Sequence, residues 1–215
     1  EDKKQPFPES REIRFNDVSF QYEEGVKALD KVSFEIKPNT VTALVGESGG
    51  GKSTAANLIA RFWDVTEGSV TIGGVDVRDI DYSELMKNIS IVFQDTNLFK
   101  MSVAENVAMY KPDASREEIM NALKAARCED IIEKLPDGID SVIGTKGVYL
   151  SGGEMQRIAL ARAILKDAPI VLLDEATAFA DAENEYLIQR ALDVLLKGKT
   201  VLMIAHRLQT VVHAD

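Results

Sequence analysis

The chain has 215 residues, with 25 Lys and Arg against 35 Asp and Glu, a net charge of −10 at pH 7. With 45% hydrophobic and 28% charged residues the balance is globular, which excludes a disordered chain. The acidic excess argues against nucleic-acid binding, which relies on Lys and Arg, and the single cysteine, Cys128, excludes an intrachain disulfide or a cysteine metal cage and suits a reducing compartment.

Glu1 to Ser10 reads EDKKQPFPES, charged and with two prolines, the composition of a linker, and a domain start is expected near Arg11. The first residue is Glu and no charged-then-apolar leader follows it, so the chain reads as an excised piece without a signal peptide. Ile13, Phe15, Val18 and Phe20, then Val32, Phe34 and Ile36, recur near period two and predict half-buried strands, with EEGVKALD between them as a turn. Val41 to Val45 is a nearly continuous apolar run that leads into a glycine-rich loop and a helical segment, Ser53 to Phe62. Runs at Ile89 to Phe93, Ile170 to Leu173 and Thr200 to Ala205 predict buried parallel strands, all far short of the roughly 18 to 20 residues that cross a bilayer. Between the first and second of these runs, Val103 to Leu165 carries helical spacing in REEIMNALKAARCEDIIEKL and in GGEMQRIALARAIL, an inserted helical subdomain.

Gly46-Glu47-Ser48-Gly49-Gly50-Gly51-Lys52-Ser53 fits G-x-x-x-x-G-K-[ST], with an apolar strand before it and a helix after it. Glycines let the backbone wrap closely, so that the amides around Gly46, Ser48 and Gly49 to Thr54, and the positive end of the helix, meet phosphates. Lys52 would reach the β and γ phosphates, and the Ser53 hydroxyl would ligate Mg²⁺. A glycine-rich turn with an exposed lysine is the bland alternative, and it leaves the full pattern in that context unexplained. Ile170 to Leu173 delivers Asp174 and Glu175 at a strand's C-terminal end, where open α/β sheets bind ligands. Asp174 would hold the Mg²⁺ shell, and Glu175, on the other side of the extended backbone, would polarise the attacking water. Ser151-Gly152-Gly153-Glu154 reads as a capping box, and its unobstructed amides also make an open anion site.

The order of these motifs, with Gln94 at a strand end, Leu150 to Glu154 running into MQRIALARAIL, Asp181, and His206 after a further strand, closely resembles the nucleotide-binding domain of ATP-binding cassette (ABC) transporters. The resemblance covers about Arg11 to Asp215, and LSGGE between the two Walker motifs is its most specific element. It implies an α/β fold: a P-loop NTPase (RecA-like) core with a mainly parallel sheet, an N-terminal antiparallel β subdomain and an inserted α-helical subdomain. The expected division is 1–10 as a linker from a transmembrane domain, 11–94 and 166–215 as the ATP-binding core, and 95–165 as the helical signature subdomain. Tyr22 matches the aromatic that stacks on adenine; Gln94 the residue that touches Mg²⁺ and the attacking water; His206 the switch histidine at the γ-phosphate. His213 matches no motif and is read as structural.

The resemblance further implies two such domains meeting head to tail, identical or different, with ATP and Mg²⁺ between them. Ser151, Gly152, Gly153, Glu154 and Asp181 then act on nucleotide held by the partner, and attached membrane domains at the cytoplasmic face of the cell membrane convert the cycle into transport. This chain departs from the family pattern in having Glu154 for Gln, Ala178-Phe179-Ala180-Asp181 for Ser-Ala-Leu-Asp, and Gly144-Thr145-Lys146-Gly147 for a glutamate-bearing segment. It also stops where the family normally continues for a strand and a helix. RFWDVTEG, FQDTNLF and DAPIVLLDEATA look like the exporter-type domain fused behind six transmembrane helices, and DAENE and RCEDII are most similar to the bacterial siderophore-handling and multidrug branch. Two alternatives are a soluble ABC ATPase of DNA repair or chromosome organisation and a non-hydrolysing ATP sensor. The compact insertion without heptads opposes the first, and intact Glu175 and His206 oppose the second.

Overall fold

A computed structural model describes residues 4–47, 49–92, 98–174, 181–206 and 214–215. Contacts divide the chain into two compact units, one of Glu1–Ile91, Ala168–Glu175 and Gly198–Asp215, the other of Val92–Asp167 and Ala176–Lys197. The elements, in chain order, are β1 (Ile13–Glu23), β2 (Val26–Ile36), β3 (Val41–Val45), α1 (Lys52–Ile59), β4 (Glu67–Ile72), β5 (Val75–Asp76), α2 (Tyr82–Lys87) and β6 (Ile89–Val92). There follow α3 (Val103–Val107), α4 (Arg116–Ala125), α5 (Glu129–Lys134), α6 (Gly152–Lys166), β7 (Ile170–Asp174), α7 (Ala182–Leu196) and β8 (Thr200–Ala205).

The first unit holds two four-stranded sheets. One is antiparallel in the order β2-β1-β4-β5. Its period-two residues Ile13, Phe15, Val18 and Phe20 are buried, and Phe15 stacks on Phe34 across the β1–β2 pair at 4.4 Å. The turn between β1 and β2 is shorter than the sequence suggested: Glu23 pairs with Val26, Gly25 takes φ +86°, and Leu29 is already buried opposite Phe20. Register against a long partner strand extends β2 through residues whose local composition reads as a turn. The second sheet has the order β3-β8-β7-β6, with β3 parallel to β8 and β8 parallel to β7. Ile170 to Leu173 and Val201, Leu202, Ile204 and Ala205 are buried, as the continuous apolar runs predicted. Burying each Val, Leu or Ile contributes about 1.5–3 kcal/mol, more than any single pairing preference in the strand.

The N-terminal segment departs from its linker-like composition. Gln5 forms a parallel bridge with Ile80, donating to the Asp79 carbonyl at 2.7 Å and accepting from Asp81 N at 2.9 Å. Phe7 packs on the hydrophobic core, and the Arg11 guanidinium lies 5.1 Å over its ring. Composition counts the prolines and charges of this segment but does not register one aromatic side chain meeting an apolar surface.

The second unit is helical and centred on α6, which contacts α3, α4 and α7. Ile158, Leu160, Ala161 and Ala163 bury several sides of α6 at once. The run predicted as one helical stretch from Arg116 to Leu135 breaks at Arg127, whose φ is +58°, into α4 and α5. Helix α7 was not anticipated, although Ile188, Ala191, Leu192 and Leu195 stand at i, i+3, i+4 and i+7 and are buried. Its apolar stripe packs on α6, and it groups with the helical unit. Cys128 is buried, and burial pushes its thiol up to about 12, leaving it inert as a nucleophile or metal ligand. Among the described residues no helix is long and apolar enough to cross a membrane.

Candidate functional site

Strand β3 ends at Val45 and hands the chain to the glycine-rich loop. Gly50 N donates to the Glu47 carbonyl at 3.2 Å, closing the loop on itself. Lys52 is buried, and its Nζ donates to the Gly46 carbonyl and to the Glu47 carbonyl, the latter at 2.7 Å. The ammonium is therefore folded inward over the loop rather than exposed to solvent. Gly51, with φ +83°, forms the N-cap of α1, and a Cβ there would lie 2.5 Å from the Ala28 carbonyl oxygen and 2.8 Å from Leu29. Only glycine lets the loop approach β2 this closely.

Helix α1 has no side-chain cap and, alone among the described helices, no acidic residue in its first turn. Its free amides and positive end therefore face no competing carboxylate from its own first turn, the arrangement an anion site needs. Ser53 is exposed in that first turn, whereas Thr54 is buried. Ser48 lies outside the described residues.

Tyr22 is half-exposed near the end of β1. Its hydroxyl lies 3.1 Å from Thr54 Oγ1 and accepts from Asn57 Nδ2 at 3.3 Å, while its ring stands perpendicular to Phe20 at 4.7 Å and to Trp63 at 5.4 Å. This aromatic is thereby tied to the helix that follows the phosphate loop. Asn57 belongs to no motif, and Trp63, though part of RFWDVTEG, was given no role from sequence, because only the packing around Tyr22 brings them to it.

The parallel sheet gathers the remaining residues of this unit. Val45 pairs with Ala205, and Asp174 with Ile204, so Gly46, Asp174 and His206 all emerge from the same strand ends. His206 Nε2 lies 3.2 Å from Asp174 Oδ1, which joins two residues 32 positions apart. Glu175 directly follows Asp174, and it and Gln94 lie outside the described residues. Among the described residues no cluster of three His, Cys, Asp or Glu forms a metal cage.

In the helical unit, Ser151 caps α6 by the full box: its Oγ accepts from Glu154 N at 3.2 Å and Glu154 Oε1 accepts from Ser151 N at 3.0 Å. Asp181 caps α7, accepting from Asn184 N at 2.8 Å and from Asn184 Nδ2 at 3.2 Å. Asn184 joins the two caps: a Cβ on Gly153 would sit 2.8 Å from its Cγ, and its Oδ1 accepts from Arg157 Nη2 at 3.0 Å. Arg157 is buried and makes a second, two-bond contact with Asp130 at 2.7 and 3.0 Å. Asp181, Gly153 and α5 are thus tied through Asn184 and Arg157, residues that the motif reading passed over.

Arg157's hydrogen bonds outweigh partial burial and hold the Asp130 carboxyl below the usual carboxylate range. The stability this contributes is present above the ordinary value near 4 and is lost as pH falls through the lower folded value. Asp130→Asn is expected to lower Tm by roughly 2–4 °C at pH 7 and to flatten its decline on acidification. Thermal melts of both proteins from neutral to acid pH check this, and parallel curves refute it.

A family model described as ABC transporter matches residues 29–178. Over 94% of its length the chain is 51% identical to the mycobactin import ATP-binding/permease protein IrtA of Mycolicibacterium thermoresistibile, of which it spans 22%. It is 48% identical to the ATP-dependent lipid A-core flippase of Legionella pneumophila, spanning 34% of that protein. It is 47% identical to the putative multidrug export ATP-binding/permease protein YgaD of Bacillus subtilis, spanning 35%.

Proposed function

The chain belongs to the ABC transporter family, and from that premise we propose that it is the ATP-binding and ATP-hydrolysing motor of a longer transport protein. The observation that carries this is the start of α1, where a glycine N-cap, an inward lysine and a first turn without acids come together. The names of the relatives, permeases and a flippase, support a transmembrane partner in the same or a second chain. They also support a place at the cytoplasmic face of a membrane.

In this reading the amides of Gly49 to Thr54 and the Lys52 ammonium hold the β and γ phosphates, and Tyr22 supports the adenine. Ser53 and Asp174 fit Mg²⁺, which takes hard oxygen ligands, keeps few protein donors and shares the phosphate oxygens. When bound, the ion neutralises charge on the β and γ oxygens. Glu175 takes the proton of the attacking water, and Gln94 orients that water. His206, steadied by Asp174, donates to the γ-phosphate. Ser151, Gly152, Gly153, Glu154 and Asp181 serve nucleotide held by a second copy or a homologous chain, so that neither domain completes a site by itself.

The isolated chain is expected to be a feeble Mg²⁺-dependent ATPase whose total rate rises about fourfold for each doubling of protein while monomer predominates. Steady-state rates against protein concentration, with and without EDTA, measure this. A strictly linear dependence on concentration excludes the shared site.

A further inference from the structure

The start of α6 already carries an anion of its own. Glu154 occupies its first turn with a side chain only 11% exposed. One carboxylate oxygen accepts from Ser151 N at 3.0 Å, and the other is ion-paired with Lys134 Nζ. Lys134 is the last residue of α5, where a helix's own dipole favours a cation. Burial raises the Glu154 pKa, but Lys134 and the Ser151 N–H together overcome it and keep the carboxyl below its usual range, so the pair is charged at neutral pH.

The same device at α4 pairs Glu118 with Lys111 at 2.7 Å, but there both side chains are more than 40% exposed and Arg116 and Glu117 open the helix. At α6 the glutamate is largely desolvated, and two glycines open the helix. A Cβ on Gly152 would meet nothing within 4 Å. An approaching phosphate therefore finds open amides beside a carboxylate whose charge solvent screens poorly.

We propose that Lys134 is a positioning residue for this site: its ammonium neutralises Glu154, so that the Ser151–Gly153 helix start offers a positive end to the triphosphate of a nucleotide held by the opposing domain. This rests on the reading of that helix start as phosphate-facing. A carboxylate left unpaired within about 8 Å of a phosphate, at an effective dielectric near 40, repels it by about a fivefold factor in affinity.

The test is steady-state ATPase of the full-length protein. Lys134→Met is expected to raise KM for ATP about fivefold, less at high salt, with a smaller change in kcat. Lys134→Arg is expected to retain the wild-type KM. In the Glu154→Gln background, adding Lys134→Met is expected to change KM by less than about twofold, because no charge remains to neutralise. The proposal is overturned if Lys134→Met leaves KM unchanged, or shifts it equally in both backgrounds. It is also overturned if Tm falls with KM unmoved, since the pair is then only a tie between α5 and α6. Should Lys134→Met not fold, Lys134→Gln gives the same comparison. Lys52→Met, run in parallel, separates the two levels: wild-type ATPase in that variant removes the proposed function itself. An inactive Lys52→Met beside an unshifted Lys134→Met removes only the role of Lys134.

Discussion

Ser151→Arg is expected to lower ATP turnover by ~10²–10³-fold while leaving ATP affinity of the phosphate loop within about twofold of wild type. Ser151 Oγ accepts from Glu154 N at the cap of α6, and two glycines follow it. Arginine removes that cap, which costs about 1 kcal/mol. A loss of that size does not unfold a domain, and it is well below the roughly 3–4 kcal/mol that a 10²–10³-fold effect represents. The remainder has to come from closing an open helix start with a long side chain, at a place where a phosphate is to be received. Because the proposed function gives Ser151 to nucleotide held by the partner domain, ATP binding by the phosphate loop of the same chain should be spared. Equilibrium binding of a fluorescent ATP analogue, beside steady-state ATPase, separates the two quantities. Wild-type turnover in this variant would falsify the head-to-tail arrangement.

Glu175→Gln is expected to reduce turnover by ~10²–10⁴-fold, the range for loss of a general base, while ATP still binds and an ATP-bound dimer accumulates. Glutamine keeps the shape of the side chain but cannot take a proton from water. Glu175 follows directly on Asp174 at the end of β7. Asp174 itself is 3.2 Å from His206, so the strand end already assembles polar groups on neighbouring strands. Gel filtration with Mg²⁺ and ATP reads the dimer, and single-turnover hydrolysis reads the chemistry. Turnover at the wild-type rate assigns the base elsewhere.

Much of this architecture was legible in local patterns. The buried strands β6, β7 and β8 announce themselves as short apolar runs, because a strand covered on both faces has no polar side to show. The glycine-rich loop is legible because close backbone approach admits few residue types, as the contact of Gly51 with Ala28 illustrates. Helix α7 carried a readable stripe from Ile188 to Leu195 that motif-centred reading overlooked. Gln5, Phe7 and the early start of β2 were not legible. Their placement depends on partners far along the chain: Ile80 for Gln5 and the length of β1 for Val26.

The amino-acid sequence by itself determined the family, the buried strands β3, β6, β7 and β8, the phosphate loop and the capping of α6. Each of these is a short-range pattern in which a few neighbouring residues carry the physical constraint. Tertiary structure alone decided that Tyr22 is tied to Thr54 and Asn57, that Asp174 meets His206, that Asn184 and Arg157 join Asp181 to Gly153, and that Lys134 reaches Glu154. Apart from the local Asp181–Asn184 cap, those contacts span from 20 to 35 residues of chain. Their distances follow from strand register and helix packing, which no local pattern encodes.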